Sequence, residues 1–277
     1  ARGQIGQAVN DVVDKLEFEM LDTDVDDLDV TDTDEVLRFG EMNRPDIIIN
    51  CSGMTDISSC EENPSQAFKV NALGARNLAI VAAKMQAKMV QLSTDDVFDG
   101  KSTEPYTEFD ITNPGTVYGK SKLAGENYVK EFTTKHFIVR STWVYGKGQN
   151  FINGFLKKVD AGEQLSIASD QFGSPTSANE LARFLLHLVH TSEYGTYHAT
   201  NKGVCSRYAF AQEILKMTGK TASMQPVPTV MSDFSKVRPA YAVLDNFIMS
   251  MVPIYDFPDW QDSLREYLEE RGLYHAE

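Results

Sequence analysis

Arg44-Pro45-Asp46-Ile47-Ile48-Ile49-Asn50-Cys51-Ser52-Gly53-Met54-Thr55 is the stretch that decides the fold. Three consecutive isoleucines leave no polar face, and β-branched side chains favour a pleated backbone, so residues 47–50 read as a buried parallel strand. Arg44, Pro45 and Asp46 close the preceding connection. The small residues that follow stand at the strand's carboxyl end, where open α/β sheets hold their ligands. Packing alone would explain the same small residues.

Outward from this strand the pattern repeats. A long helical segment from about Pro64 to Gln86 leads to a second strand, Met89-Val90-Gln91-Leu92, which ends in Ser93-Thr94-Asp95-Asp96-Val97-Phe98-Asp99-Gly100. A loop over 99–116 rich in Pro, Gly, Thr and acids reaches another helix, and Phe137-Ile138-Val139-Arg140 is a third strand running into 141–146. Upstream, Asp29-Val30-Thr31-Asp32 opens a helix through about Met42, with Thr31 or Asp32 as its cap. This alternation specifies an α/β chain with a Rossmann-like doubly wound parallel sheet. Past Gly146 the rhythm changes. Helices at about 151–161, 177–190 and 206–218 and a proline-bearing tail predict a smaller C-terminal substrate-binding region. The expected division is a dinucleotide-binding domain over 1–146 and a mainly substrate-binding region over 147–277, part of 177–200 returning to the first.

Chemistry concentrates in Val117-Tyr118-Gly119-Lys120-Ser121-Lys122-Leu123-Ala124-Gly125-Glu126. Tyr118 and Lys122 stand four apart, so a helix sets a phenol beside an ammonium on one face. A free tyrosine titrates near ~10, and a neighbouring cation favours the phenolate, which makes the pair a proton donor for a carbonyl oxygen. Alone, such a pair is as well explained by a solvated helix face; its context decides. Thr94, at a strand's carboxyl end, is placed to hydrogen-bond a ketone oxygen if that helix lies alongside.

At the start of the chain, Gly3 and Gly6 in Gly3-Gln4-Ile5-Gly6 fit the second and third glycines of a dinucleotide fingerprint. The first glycine and its strand are then expected before Ala1. Phe18 to Leu21 is a short apolar run ending in Asp22, at the offset where an acid holds the adenosine ribose and favours NAD. Arg2 could instead meet a 2′-phosphate, and Asp22 reads equally as a turn residue, so the choice of cofactor stays open at this point.

The 277 residues carry 26 basic and 40 acidic side chains, a formal charge of −14, and are 42% hydrophobic, which suits an enzyme with a real core. Such an acidic surface repels nucleic acid and anionic membranes. A phosphorylated small molecule is still compatible, held at a helix N-terminus. Cys51, Cys60 and Cys205 are odd in number and form no Cys-x-x-Cys pair, so free thiols in a reducing cytoplasm are expected. No stretch reaches the ~20 apolar residues of a membrane helix.

Taken in order, these segments resemble the extended short-chain dehydrogenase/reductase family. The carriers are 3–6, 44–50, Val70-Asn71-Ala72-Leu73-Gly74, 92–100, 118–126, Arg140-Ser141-Thr142-Trp143-Val144-Tyr145-Gly146, Asp170-Gln171-Phe172-Gly173-Ser174-Pro175-Thr176 and Arg238-Pro239-Ala240-Tyr241-Ala242-Val243-Leu244-Asp245. The resemblance covers essentially the whole chain. It implies reduction of the C4 ketone of a nucleotide-linked 4-keto-6-deoxy sugar, dTDP-4-dehydro-L-rhamnose, with NADP(H), or NAD(H) as the alternative.

By the same resemblance Tyr118 is the proton donor, Lys122 lowers its pKa and holds the nicotinamide ribose, and Thr94 orients the ketone. Gly3, Gln4, Ile5, Gly6, Asp22, Asp29, Val30, Gly53, Met54, Thr55, Tyr118 and Lys122 surround the cofactor, and Thr94, Asp95 and Trp143 meet the sugar nucleotide. Trp143 also reads as a core aromatic. Several positions depart from the family. Asp96 stands where tyrosine is usual, Met54 replaces an aromatic or histidine, and Val237 leaves Arg238 to meet phosphate alone. Ala8 replaces a glutamate that in some members helps bind Mg²⁺ at a dimer contact, so no metal site is expected; a homodimer is left open. The competing readings are a reductase or epimerase of another nucleotide sugar and a non-catalytic regulatory subunit of the same fold.

Overall fold

The computed structural model describes residues 1–231 and 239–275. Helices α1 (Gln4–Val12) and α2 (Thr33–Asn43) precede strand β1 (Ile47–Asn50). Helices α3 (Ile57–Glu62) and α4 (Pro64–Phe68) run through a π-helical turn, Lys69–Leu73, into α5 (Gly74–Met85) and then β2 (Lys88–Thr94). A 3-10 turn at Asp95–Val97 and a loop lead to α6 (Val117–Phe132) and β3 (His136–Ser141). Next come β4 (Val144–Tyr145), α7 (Phe151–Asp160), β5 (Leu165–Ala168), β6 (Phe172–Gly173), β7 (Thr176–Ser177), α8 (Ala178–Val189) and β8 (Gly195–His198). The chain closes with β9 (Cys205–Ser206), α9 (Arg207–Thr218), β10 (Met224–Val227), α10 (Phe247–Met251) and α11 (Trp260–Glu270).

The principal sheet is parallel throughout, in the order β1-β2-β3-β8. Alternation along its central strands sorts the core into two layers. Val90, Leu92, Phe137 and Val139 face α8 and the Ala8 and Val9 side of α1, whereas Met89 and Ile138 face α5, Val36 of α2 and Val129 of α6. Helices therefore cover both faces, as the alternation in sequence requires, and the fold is the Rossmann-like α/β class. A second core gathers Tyr145, Phe155, Leu165, Ile167, Phe210, Trp260 and Leu264 from α7, α9, α11 and the short strands, with β5 and β10 paired in parallel. Helix α8 and strand β8 lie with the principal sheet although they follow the start of this second region.

Local chemistry sets the boundaries. Asp32 caps α2 by accepting from the Glu35 amide at 3.0 Å, and Ser177 and Ser206 begin α8 and α9 in the same manner. Two expectations from sequence are corrected. Ile47–Ile49 are half-buried, because β1 is an edge strand of the described sheet with only β2 beside it. The segment 64–86 is not one helix; it is α4, the π turn and α5, closed by Gln86 in the left-handed region at φ 58°. Residues 18–21 adopt no regular strand. Among the described residues no helix is long and apolar enough to cross a membrane.

Candidate active site

Helix α6 starts where Thr116 accepts from the Gly119 amide at 3.0 Å, and this start is pressed against the turn that follows β2. A Cβ on Gly119 would lie 2.0 Å from the Asp96 carbonyl oxygen, so only glycine admits this approach. Nearly two turns further on, a Cβ on Gly125 would lie 2.4 Å from the Asn71 carbonyl oxygen. The two glycines in the Tyr-Gly-Lys-Ser-Lys-Leu-Ala-Gly-Glu run thus let α6 approach two backbones at once, which brings Tyr118 to the carboxyl end of the sheet.

Tyr118 is buried, and its neighbours in a small apolar cluster include Met54, Ile57, Cys60 and Ala67. Lys122 is buried as well; a Cβ added to Gly53 would sit 3.7 Å from its Nζ. Burial pulls the Lys122 amine down to about 8, with Glu126 and Cys51 acting in the opposite direction. Met54 in the loop after β1 is held at both its amide and its carbonyl by Asn71: Asn71 Oδ1 accepts from the Met54 amide at 2.8 Å, and its Nδ2 donates to the Met54 carbonyl at 2.9 Å and to Ser121 Oγ at 2.8 Å. Asn71 is a positioning residue that sequence reasoning passed over. A buried asparagine in an otherwise alanine-rich helical segment was the available signal, and the π turn is what aims it inward.

Thr94 ends β2 and is buried. Its hydroxyl donates to Asp95 Oδ1 at 2.9 Å and accepts from the Asp96 amide at 3.2 Å. Asp95 Oδ2 accepts from Thr142 Oγ1 at 2.8 Å, so the Asp95 carboxylate ties the end of β2 to the segment after β3. Thr142 is a second residue missed from sequence. Asp96, at the position noted as a departure, is 1% exposed.

Trp143 follows immediately with φ 48°, a left-handed backbone rare for a bulky side chain. Its ring is enclosed in the second core. Arg207 lies 3.4 Å above the ring centroid, and a Cβ on Gly173 would come within 2.5 Å of the indole. Its Nε1 is buried with no hydrogen-bond partner among the described residues.

At the start of the chain, α1 begins after Gly3, so the first amides of the helix have no side-chain cap from it among the described residues, the setting in which a helix start can take an anion. A Cβ on Gly3 would meet nothing within 4 Å, whereas one on Gly6 would lie 2.8 Å from the Ala1 carbonyl oxygen. Beside this helix start a cavity of about 350 Å³ is lined by Arg2, Gln7, Asn10, Asp22 and Asp24 among others. Asp22 is exposed there. Asp24 accepts from the Arg2 amide at 2.8 Å, while the Arg2 guanidinium rests on Asp26 at 2.7 Å. Asp29 accepts from the Thr31 amide at 2.9 Å, a bond that holds its carboxyl below the ordinary range. Val30 packs on Gly74 and accepts from Asn77. Thr55 and Gly53 are exposed at the mouth of the loop after β1. Uncapped amides, a cavity holding both an acid and a base, and a glycine against Lys122 are the donor set a dinucleotide needs.

Val237 and Arg238 lie outside the described residues. Ala8 is packed between α1 and α8, and among the described residues no group of three His, Cys, Asp or Glu side chains is arranged to hold a metal.

Residues 1–272 match the family model of the RmlD substrate binding domain. The chain is similar to the spore coat polysaccharide biosynthesis protein SpsK of Bacillus subtilis, 35% identical over 273 residues that cover 98% of this chain and 96% of that protein. Among solved structures it is similar to a dTDP-4-dehydrorhamnose reductase from Clostridium acetobutylicum, with a TM-score of 0.95, 40% identity and coverage of 98% and 97% of the two chains. It is also similar to the dTDP-4-dehydrorhamnose reductase from Bacillus anthracis, solved in complex with NADP, with a TM-score of 0.93, 35% identity and coverage of 97% and 96%. With that match running along nearly its whole length, the chain belongs to the RmlD substrate binding domain family.

Proposed function

We propose that this protein reduces the C4 ketone of dTDP-4-dehydro-L-rhamnose to dTDP-L-rhamnose with NADP(H), NAD(H) being the alternative reductant. The observation that carries the reading is a buried Lys122 amine against Gly53, one helical turn from Tyr118, at the carboxyl end of a parallel sheet. Relatives that share this chain's fold and sequence bear that reductase's name, and one was solved with NADP.

In this reading Gly3, Gln4, Ile5 and Gly6 hold the cofactor's pyrophosphate through the first amides of α1, and Arg2, Asp22, Asp29 and Val30 surround its adenosine. Gly53, Met54 and Thr55 flank the nicotinamide side, with Met54 held by Asn71. The nicotinamide, when bound, supplies the hydride. Tyr118 gives its phenolic proton to the ketone oxygen, and the Lys122 ammonium stabilises the negative charge left on the phenol. The Thr94 hydrogen, bonded to Asp95 without ligand, must turn to the ketone oxygen for Thr94 to orient it, after which Asp95 retains its tie to Thr142. Trp143 Nε1, a buried donor lacking a partner among the described residues, is the group offered to the sugar nucleotide.

The test is NADPH oxidation followed with dTDP-4-dehydro-L-rhamnose beside other 4-keto nucleotide sugars. Turnover with the first, lost by roughly 10²-fold or more in Tyr118→Phe, supports the assignment. Turnover only with another sugar would move the specificity and point to Asp96. No turnover with any of them, despite cofactor binding, would favour the regulatory reading.

A further inference from the structure

Trp143 holds a left-handed backbone, φ 48°, and the residue before it, Thr142, is tied to Asp95 at 2.8 Å. Its indole is met by two pieces of chain that pair with each other. Strands β6 and β9 run antiparallel with Gly173 opposite Cys205, and the Arg207 amide donates to the Gln171 carbonyl at 2.9 Å. That pairing brings Gly173 so near that a Cβ there would lie 2.5 Å from the indole, and it sets the Arg207 guanidinium carbon 3.4 Å from the ring centroid. Phe151, at the start of α7, meets the same guanidinium at 4.8 Å.

Arg207 is buried and is the first residue of α9. Both circumstances weigh against a cation, because the positive end of a helix repels it and leaving water costs it its hydration. Beginning the helix does not call for arginine, since Ser206 already caps α9 by accepting from the Ala209 amide at 3.0 Å. What arginine offers and lysine does not is a planar, delocalised cation that stacks on an aromatic face.

We propose that Arg207 is a positioning residue for substrate recognition, its guanidinium stacked on Trp143 so that the indole meets the sugar nucleotide in one orientation. This rests on the reading of Trp143 given under the proposed function. A donor fixed before the ligand arrives loses less freedom on binding, so Arg207 supplies preorganisation through Trp143 and no ligand contact of its own.

The experiment uses the full chain with saturating NADPH and follows the equilibrium binding of dTDP-L-rhamnose, the already reduced sugar, so that no turnover intervenes. Arg207→Lys keeps the charge and loses the planar stack; its Kd is expected to rise about tenfold. Arg207→Gln, read the same way, is expected to weaken binding at least as much and serves if Arg207→Lys does not fold. Trp143→Phe should weaken binding by a similar factor, and in that background Arg207→Lys should add less than about twofold, because the two side chains act as one unit. In steady-state kinetics the loss should fall on KM for the keto sugar and leave KM for NADPH at its wild-type value. The Trp143 indole N–H resonance, one of two in the chain and identified by its loss in Trp143→Phe, should move when dTDP-L-rhamnose is added to the wild type. A wild-type Kd in folded Arg207→Lys or Arg207→Gln overturns the proposal. So do fully additive losses in the double variant, which would make Arg207 a ligand contact in its own right, and a parallel rise in KM for NADPH, which would make the effect one of general folding. A wild type that reduces no ketone but binds dTDP-L-rhamnose with this dependence on Arg207 would defeat the proposed reaction and leave the present proposal standing; a wild type that binds no sugar nucleotide would sink both.

Discussion

Arg140 on β3 grips Glu126 on α6 through two parallel hydrogen bonds, at 2.9 and 2.7 Å, with both side chains out of water. A fork-on-carboxylate pair of this kind fixes orientation as well as distance. Removing one member strands the other as a buried charge. Arg140→Met is therefore expected to lower the unfolding free energy by about 3–5 kcal/mol, read from denaturant titration, whereas breaking an exposed pair such as Arg2 with Asp26 should leave it almost unchanged.

Gly119→Ala is predicted to damage catalysis more than folding. The new methyl would meet the Asp96 carbonyl at 2.0 Å, so the start of α6 and the turn after β2 must move apart. That moves Tyr118 relative to the turn after β2. A loss of about 10²-fold in kcat/KM is expected for a misplacement of that scale, with a stability cost of about 1–3 kcal/mol, checked by steady-state kinetics and thermal melts side by side.

Acid should destabilise the protein partly through His198. Its Nδ1 lies 2.9 Å from the Tyr106 carbonyl oxygen and 3.1 Å from that of Asp245, while burial and then Arg140 hold the ring down to about 3. Unfolded histidine takes its proton near ~6.5, so the unfolded state binds one more proton than the folded state as pH falls below that value. Stability is then lost as pH drops, by up to about 1.4 kcal/mol per unit from this group, until the folded ring also titrates. His198→Gln should flatten the pH dependence of urea unfolding by that slope between about pH 4 and 6.

Cofactor choice can be read at Arg2. If its guanidinium leaves Asp26 for a 2′-phosphate, Arg2→Ala will raise KM for NADPH about tenfold and leave KM for NADH unchanged. An equal effect on both would assign the discrimination to Asp22 and its neighbours.

Much of the principal sheet was legible because its strands are short apolar runs that end in small polar residues, and Asp32, one of the two caps the sequence offered for α2, does begin that helix. What stayed hidden depends on neighbours. Three isoleucines signal a strand, but not that β1 has a partner on one side only among the described residues. The segment 64–86 has the composition of a helix whether wound regularly or not, so the π turn and the inward aim of Asn71 could not be read from it. Thr94, Tyr118 and Lys122 were singled out by residue type, spacing and resemblance, and the structure buries all three. The ties that orient their surroundings, Asn71 to Met54 and Ser121, Asp95 to Thr142, and Arg207 over Trp143, join residues distant in the chain and carry no local periodicity.

The widened turn at Lys69–Leu73 makes chain length itself a constraint there. Deleting one residue would let the helix rewind regularly, swinging Asn71 about 100° around the axis while leaving the alanine-rich face of α5 able to pack. Met54 would then lose its anchor on Asn71, so insertions and deletions at this turn should be far less tolerated in function than conservative replacements of the residues around it.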